Sequence, residues 1–390
     1  MSDDDITITT VSVRLWPNAT TAATPQIVVE QCRDVNAFFA NESRPVDFSQ
    51  WWSVRVPFAL IYTFIFLFGI TANAGVVFAV MRTPQLRSAR NLFLLNLMFA
   101  DLLLCLSSAP ITPITVVLKQ WLFGVVMCHA LPFVQSVSVM VTSWSLMAIA
   151  ADKYIHIRDP TKPPVSIVAA VGITVALWVF SSVVNIPFAV AMRLKDGPST
   201  YGFCGVFCDE DWTQTTSKHT YGTAVLLLQF LVPTIVISYC YARIFAVVHR
   251  DMIVDNKQFS QSLSVQQRQD AHRRKRRVNW IVLTMVGTFI CCWFPLTLFN
   301  IARDFDVAPQ QVNQHPYIFL LVCHAVAMTC VVWNPLLFYW LTRQRRQSPR
   351  KIVRQCLTEI GHKAYSTAVP GHNEPQHKSL RLHPNGMQVG

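Results

Sequence analysis

The chain has 390 residues, of which 52% are hydrophobic and only 14% charged, and its formal net charge is +12. A soluble domain of this length carries about 25% charged residues. The deficit is concentrated in long charge-poor runs that have nowhere soluble to pack, which excludes an ordinary soluble enzyme or binding domain.

Residues 1–54 form a polar, acidic tail holding Asp3, Asp4, Asp5, Glu30, Asp34, Glu42 and Asp47. The opening Met1-Ser2-Asp3-Asp4-Asp5 lacks the basic start and apolar core of a cleavable signal, so the first apolar run is expected to serve as the insertion signal. Asn18-Ala19-Thr20 and Asn41-Glu42-Ser43 are glycosylation sequons, with Asn18 and Asn41 as the acceptors.

Apolar runs follow at 55–82, 91–118, 125–157, 166–192, 221–248, 275–303 and 314–341. Each reaches the ~20 residues that cross a bilayer. A spanning backbone must satisfy its own hydrogen bonds, so each run predicts a helix. The expected fold is an all-α membrane protein, a seven-transmembrane helix bundle over 55–342. Arg82, Arg87 and Arg90 follow the first run, Arg273 to Arg277 precede the sixth, and Arg343 to Arg354 follow the seventh. By the positive-inside rule these ends are cytoplasmic and the amino terminus is outside. The expected location is the plasma membrane, with multiple passes. The basic run at 273–277 resembles a nucleic-acid patch in composition. Against a membrane span it reads as a lipid-facing or partner-facing helix end, and no nucleic acid is expected.

Polar residues inside the runs are costly and mark sites. The second run carries Asn96 and Asp101, and a carboxylate at that depth needs a cation, a proton or donors. Asn73, Thr142 and Asn334 are candidates to converge on Asp101, and a sodium ion or a transferred proton there would bias the bundle between two packings. A polar clasp holding helices together is the alternative, and the two can coexist. Pro187, Pro233, Pro295 and Pro335 bend their helices. Trp293 beside one bend is either a lever or a plain core residue. Of the eleven cysteines, Cys32, Cys128, Cys204 and Cys208 fall on the outer side. That compartment is oxidising, so a bridge from Cys128 to the long loop before the fifth run would pin the loop over the bundle mouth.

The inner loop over 249–272 is polar, glutamine-rich and expected to be mobile, with Ser260, Ser262 and Ser264 as phosphosite candidates. Residues 343–357 are expected to form a short basic amphipathic eighth helix on the membrane surface, with Cys356 as a palmitoylation candidate. Residues 358–390 read as a disordered cytoplasmic tail.

Asn73, Asn96 with Asp101, Trp178, Pro233 with Tyr241, Cys292-Trp293-Phe294-Pro295 and Asn334-Pro335 resemble, run by run, the rhodopsin-like G-protein-coupled receptors. The seventh run has no lysine for a retinal Schiff base. Gln135 stands where amine receptors of that family carry an aspartate. The finer pattern is similar to the neuropeptide Y receptors and the invertebrate neuropeptide F receptors. It rests on Trp293 through Asn300 with Asp304, on Cys208-Asp209-Glu210-Asp211-Trp212, on Leu228-Gln229 and on His324 to Met328.

The resemblance implies a Cys128–Cys208 disulfide, leaving Cys32 and Cys204 as a further pair. It places Thr112, Gln135, Gln229, Asn300, Asp304 and His324 in a peptide pocket. It makes Asp101, Asp152, Lys153, Tyr241, Trp293, Pro295, Asn334 and Pro335 the activation switch. Asn300 and Asp304 are one turn apart and Trp293 two turns below, so all share one helix face. A carboxylate at the rim suits a guanidinium, so the pocket is expected to read an amidated peptide ending Arg-Tyr or Arg-Phe. A solvated helix end, or a salt bridge to Arg303 or a loop lysine, is the other reading of Asp304.

Two positions depart from the family. Lys153 replaces the arginine after Asp152, keeping the charge but losing the planar fork. Phe338 replaces a tyrosine, and Tyr339 lies about 100° further round the helix. The expectation is a receptor for a neuropeptide Y/F-like amide that activates a heterotrimeric G protein of the inhibitory type, with arrestin and membrane lipids as further partners. Alternatives are a receptor for another short RFamide or tachykinin-like peptide, a weakly coupling decoy, or, last, a transporter or channel. No internal repeat or paired broken helices support the last. No catalytic set emerges, so no enzyme activity is expected, and no cofactor beyond the sodium candidate at Asp101.

Overall fold

In the computed structural model the described residues are 8–14, 26–32, 48–83, 88–159, 161, 163, 165–197, 200, 203–258 and 265–340. Only the backbone is described for 8–14, 26–32, 50, 248–258, 265–279 and 281–282. Asn18, Asn41, Ser260, Ser262, Ser264, Cys356 and the expected helix over 343–357 lie outside the described residues, as do the 358–390 tail and the side chain of Cys32.

Seven helices are long and apolar enough to cross a membrane. They are Trp52–Arg82, Ala89–Leu118, Gly124–Arg158, Ile167–Ala191, Thr215–Val247, Leu283–Asp304 and Pro316–Trp340, termed spans one to seven. Serine caps start two of them: Ser88 Oγ accepts from the Asn91 amide at 3.4 Å and Ser166 Oγ from the Ala169 amide at 3.1 Å. Within its most apolar window, span two is 61% buried and span four 17%, so span two lies within the bundle and span four faces lipid. Phe93, Leu94, Leu97 and Met98 of span two pack into the core with Met140, Ile149, Met285 and Leu321. Gly69 is the close approach of spans one, two and seven. A Cβ there would sit 2.4 Å from Cys105 Sγ and 3.0 Å from a Val331 methyl.

The prolines act through the carbonyls they free. Pro335 cannot donate to Val331, and Asn73 Nδ2 of span one donates to that carbonyl at 2.9 Å instead. Ahead of Pro233 the helix widens into a π turn over Leu227–Leu231, and Trp144 Nε1 of span three donates to the Leu228 carbonyl at 3.0 Å. Span two breaks between Leu106 and Ser108, where Pro110 lacks the amide that would bond Leu106. This break turns Ser108 fully inward. Neither the π turn nor the break is legible in hydropathy.

Two antiparallel strand pairs accompany the helices. β1 (Ile8–Arg14) pairs with β2 (Gln26–Cys32), where β-branched residues dominate. β3 (Met192–Asp196) pairs with β4 (Val206–Glu210) in the connection before span five. Cys208 of β4 is bonded to Cys128 at the start of span three, as the resemblance implies. Cys204 is also disulfide-bonded. Trp121, Cys128, Leu131 and Met192 form a buried cluster beneath β3 and β4, and the Trp121 amide donates to the Val206 carbonyl at 2.7 Å.

Two expected boundaries are corrected. The helix of span five begins at Thr215 rather than 221, and its first turns are held by contacts of Lys218 and His219 with Asp304 and of Tyr221 with the Val184 carbonyl. The expected inner loop over 249–272 is largely helical. Val232–Gln258 and Val265–Asp304 run far beyond the apolar segments, where glutamine, arginine and lysine are good helix formers.

Candidate ligand-binding site

At the end of the bundle bearing the Cys128–Cys208 bond lies a cavity of about 530 Å³. Thr112 of span two, Gln135 of span three, Gln229 of span five, Asn300 and Asp304 of span six and His324 of span seven all line it. The local reasons differ by element. The span-two break carries Ser108 and Thr112 inward, and the π turn sets Gln229 facing the interior, 8% exposed. The helical repeat aligns Asn300 with Asp304.

The floor is a hydrogen-bond chain. His324 is 1% exposed, with Nδ1 2.8 Å from the Tyr62 hydroxyl and Nε2 2.9 Å from Ser108 Oγ. Ser108 in turn donates to Gln135 Oε1 at 2.7 Å and lies 3.3 Å from Thr112 Oγ1. Because Ser108 spends its proton on Gln135, it accepts from His324 Nε2–H, and Tyr62 donates to Nδ1. Gln135 Oε1 is thereby occupied and its NH2 is the group left to meet a ligand. Gln229 is its complement, since its buried Oε1 has no hydrogen-bond partner among the described residues. Sequence reasoning missed Ser108 and Tyr62. The available signal was spacing, since Ser108 stands one helical turn before Thr112 on the same face.

Ser108→Ala removes the shared partner of the His324 Nε2–H and the Gln135 carbonyl. It is expected to cost about 1–2 kcal/mol of stability. Thermal unfolding of the purified variant measures this; an unchanged transition would mean that the chain contributes nothing.

The rim is ionic. Lys218 Nζ of span five lies 2.9 Å from Asp304 Oδ1 and 3.6 Å from Glu210 Oε2 of β4. Trp212 Nε1 donates to the same Glu210 oxygen at 2.7 Å. Asp304 thus has a cation partner, Lys218 rather than Arg303, whose guanidinium sits 5.7 Å over the Phe299 ring. Asp209, Glu210 and Asp304 face Lys218 and Arg303 around the mouth, leaving it acidic.

Deeper in the bundle Asn334 Nδ2 donates to Asp101 Oδ2 at 2.9 Å, while the buried Asp101 Oδ1 has no hydrogen-bond partner among the described residues. The expected convergence on Asp101 is only partial. Asn73 bonds the Gly69 and Val331 carbonyls, and Thr142 Oγ1 has no partner among the described residues. Freed backbone at Pro335 is the stronger claim on Asn73. Asn96 joins Ser145 at 2.7 Å and Trp178 at 2.6 Å, tying spans two, three and four. Trp293 is buried next to Pro295 and stands one turn beyond the lining residues Leu296 and Thr297.

At the opposite end Lys153 is 6% exposed, and its ammonium, without a hydrogen-bond partner among the described residues, sits 5.7 Å over the Tyr241 ring of span five. No ion pair joins it to Asp152 among the described residues. Phe338 is buried at 3% exposure and Tyr339 faces outward at 56%.

The sequence model of the 7 transmembrane receptor (rhodopsin family) matches residues 72–338. The neuropeptide receptor npr-1 of Caenorhabditis elegans is 32% identical over 326 residues, covering 75% of this chain and 71% of that protein. The neuropeptide F receptor of Drosophila melanogaster is 31% identical over 331 residues, covering 83% and 66%. The neuropeptide Y receptor type 6 of Oryctolagus cuniculus is 28% identical over 335 residues, covering 83% and 88%. With seven apolar helices and a match across more than half its length, the chain is a multi-pass membrane protein and belongs to the rhodopsin family of seven-transmembrane receptors, a class of receptors and not of enzymes.

Proposed function

We propose that this chain is a receptor for a neuropeptide Y/F-like peptide with an amidated Arg-Tyr or Arg-Phe end, acting through a heterotrimeric G protein of the inhibitory type. The observation that carries this reading is the convergence of Thr112, Gln135, Gln229, Asn300, Asp304 and His324 on one cavity. A terminal carboxamide offers one carbonyl and one NH2, matching the Gln135 donor and the Gln229 acceptor. A guanidinium matches the acidic rim at Asp304, where Asn300 one turn below supplies a neutral partner. The similarity to receptors named for neuropeptides F and Y supports the ligand class.

The amino terminus and the cavity face outward, and the basic ends face the cytoplasm. There Asp152, Lys153 and Tyr241 meet the G protein and then arrestin, against the lipid of the plasma membrane. Between the two ends, Trp293 with Pro295 and Asn334 with Pro335 shift when a ligand favours one packing over the other. Asp101 fits a monovalent cation or a proton, because its buried Oδ1 lacks a donor among the described residues while Asn334 satisfies only Oδ2. When bound, a sodium ion would supply charge compensation at Asp101 and hold that packing.

Synthetic amidated peptides ending Arg-Tyr and Arg-Phe, applied to cells expressing the chain, test the reading when binding and G-protein activation are recorded together. Binding with activation is the expected result. Binding without activation favours a decoy, a reading for which the buried Lys153 speaks. Failure of a surface-expressed chain to bind either peptide would remove the ligand assignment.

A further inference from the structure

Lys218 stands in the first turns of its helix, Thr215–Leu226, where the helix dipole disfavours a cation. Its position therefore answers to tertiary partners, and these are Asp304 of span six at 2.9 Å and Glu210 of β4 at 3.6 Å. The next residue reinforces the contact. His219 Nε2 donates to the Asp304 backbone carbonyl at 2.7 Å and its ring stacks on Phe305 with centroids 4.5 Å apart. The Lys218 and Asp304 side chains are 30% and 33% exposed, so both solvent and a ligand reach the pair. All three charged residues line the cavity.

We propose that Lys218 is a built-in competitor for the ligand's cation, holding Asp304 in the unliganded receptor and yielding it to a guanidinium. This rests on the reading of Asp304 as the cation-binding residue. The exchange runs toward the ligand because an ammonium offers one point contact, whereas a guanidinium grips a carboxylate with two parallel hydrogen bonds. A lysine pair about one-third exposed is weak and readily replaced. Displacement does not strand the lysine, since Glu210 Oε2 already lies within its reach. Arg303 does not hold that carboxylate: its guanidinium lies over Phe299, and the ion pair of Asp304 is made by Lys218. Lys218 accordingly sets the cost of admitting a cation to Asp304. A ligand without a cation cannot expel it from Asp304, and a lysine-ended ligand exchanges like for like without gain.

The test uses fluorescent octapeptide amides ending Arg-Phe and citrulline-Phe, with binding to the wild-type receptor, Lys218→Met, Lys218→Gln, Asp304→Ala and the Lys218→Met/Asp304→Ala double variant. Citrulline-peptide binding and surface expression report correct folding. Both Lys218 variants are expected to bind the Arg-Phe peptide about fivefold more tightly, with the citrulline peptide changed by less than about twofold. In the Asp304→Ala background the gain disappears. If folded Lys218 variants bind the Arg-Phe peptide no more tightly while Asp304→Ala still lowers it selectively, the competitor is overturned and the Asp304 assignment stands. If Asp304→Ala leaves the preference for arginine over citrulline intact, the assignment itself fails, and the competitor with it.

Discussion

Asp304→Ala is expected to weaken binding of an arginine-ended peptide amide by about thirtyfold, roughly 2 kcal/mol, while its citrulline analogue loses about twofold. Two effects add. The variant removes the carboxylate that accepts the guanidinium, and it leaves Lys218 with Glu210, at 3.6 Å, and the charge of Asp209 as its counter-charges. The mouth then carries Lys218 and Arg303 against Asp209 and Glu210, so an incoming cation meets a less acidic rim. Citrulline has nearly the shape of arginine but no charge, and so loses only a hydrogen bond. The effect stops short of that of a buried pair because Asp304 is 33% exposed and screened by salt. Parallel saturation binding of the two peptides measures it. Equal losses for both would remove the ion-pair assignment whatever the size of the loss.

Cys128→Ser and Cys208→Ser are each expected to abolish high-affinity binding and sharply reduce folded receptor. The bond closes a separation of 80 residues, for which chain entropy gives on the order of 4 kcal/mol, less whatever the bilayer already confines. Its local role matters as much. Cys208 lies in β4 between Phe207 and the rim residues Asp209 and Glu210, and the bond pins that strand to the start of span three. The ladder to β3 and the Trp121–Val206 bond remain in the variant, yet both hold β4 only through backbone contacts. Peptide binding and thermal unfolding of detergent-purified receptor check the expectation. A Cys128→Ser/Cys208→Ser receptor with wild-type affinity would show that the cavity rim is held without the bond.

The bundle was legible because a bilayer makes an unmistakable demand on sequence. A run of apolar residues long enough to cross has one solution, a helix, and the runs starting near 55 and 125 agree with spans one and three to within a few residues. The six candidate ligand residues were legible through the pattern they share with neuropeptide receptors. Hydropathy does not distinguish Thr112 or Gln229 from other polar residues of the apolar runs. Outside the bilayer the demand weakens. The start of span five at Thr215 and the long inner helices were misplaced because neighbours and helix propensity, not apolarity, hold them there.

By itself, then, the sequence determined the number of spans, the chemistry of six of the residues that line the cavity and the presence of a buried carboxylate at Asp101. These follow from composition, spacing and family pattern, which are properties of the chain in order. Only the tertiary structure decided how each polar group spends its hydrogen bonds. Asn73 goes to the carbonyl freed by Pro335 and not to Asp101, Ser108 links His324 to Gln135, and Lys218 reaches Asp304 across 86 positions of chain. A donor's partner depends on which backbone groups the prolines and the π turn leave open, and that is settled only when the helices are packed against one another.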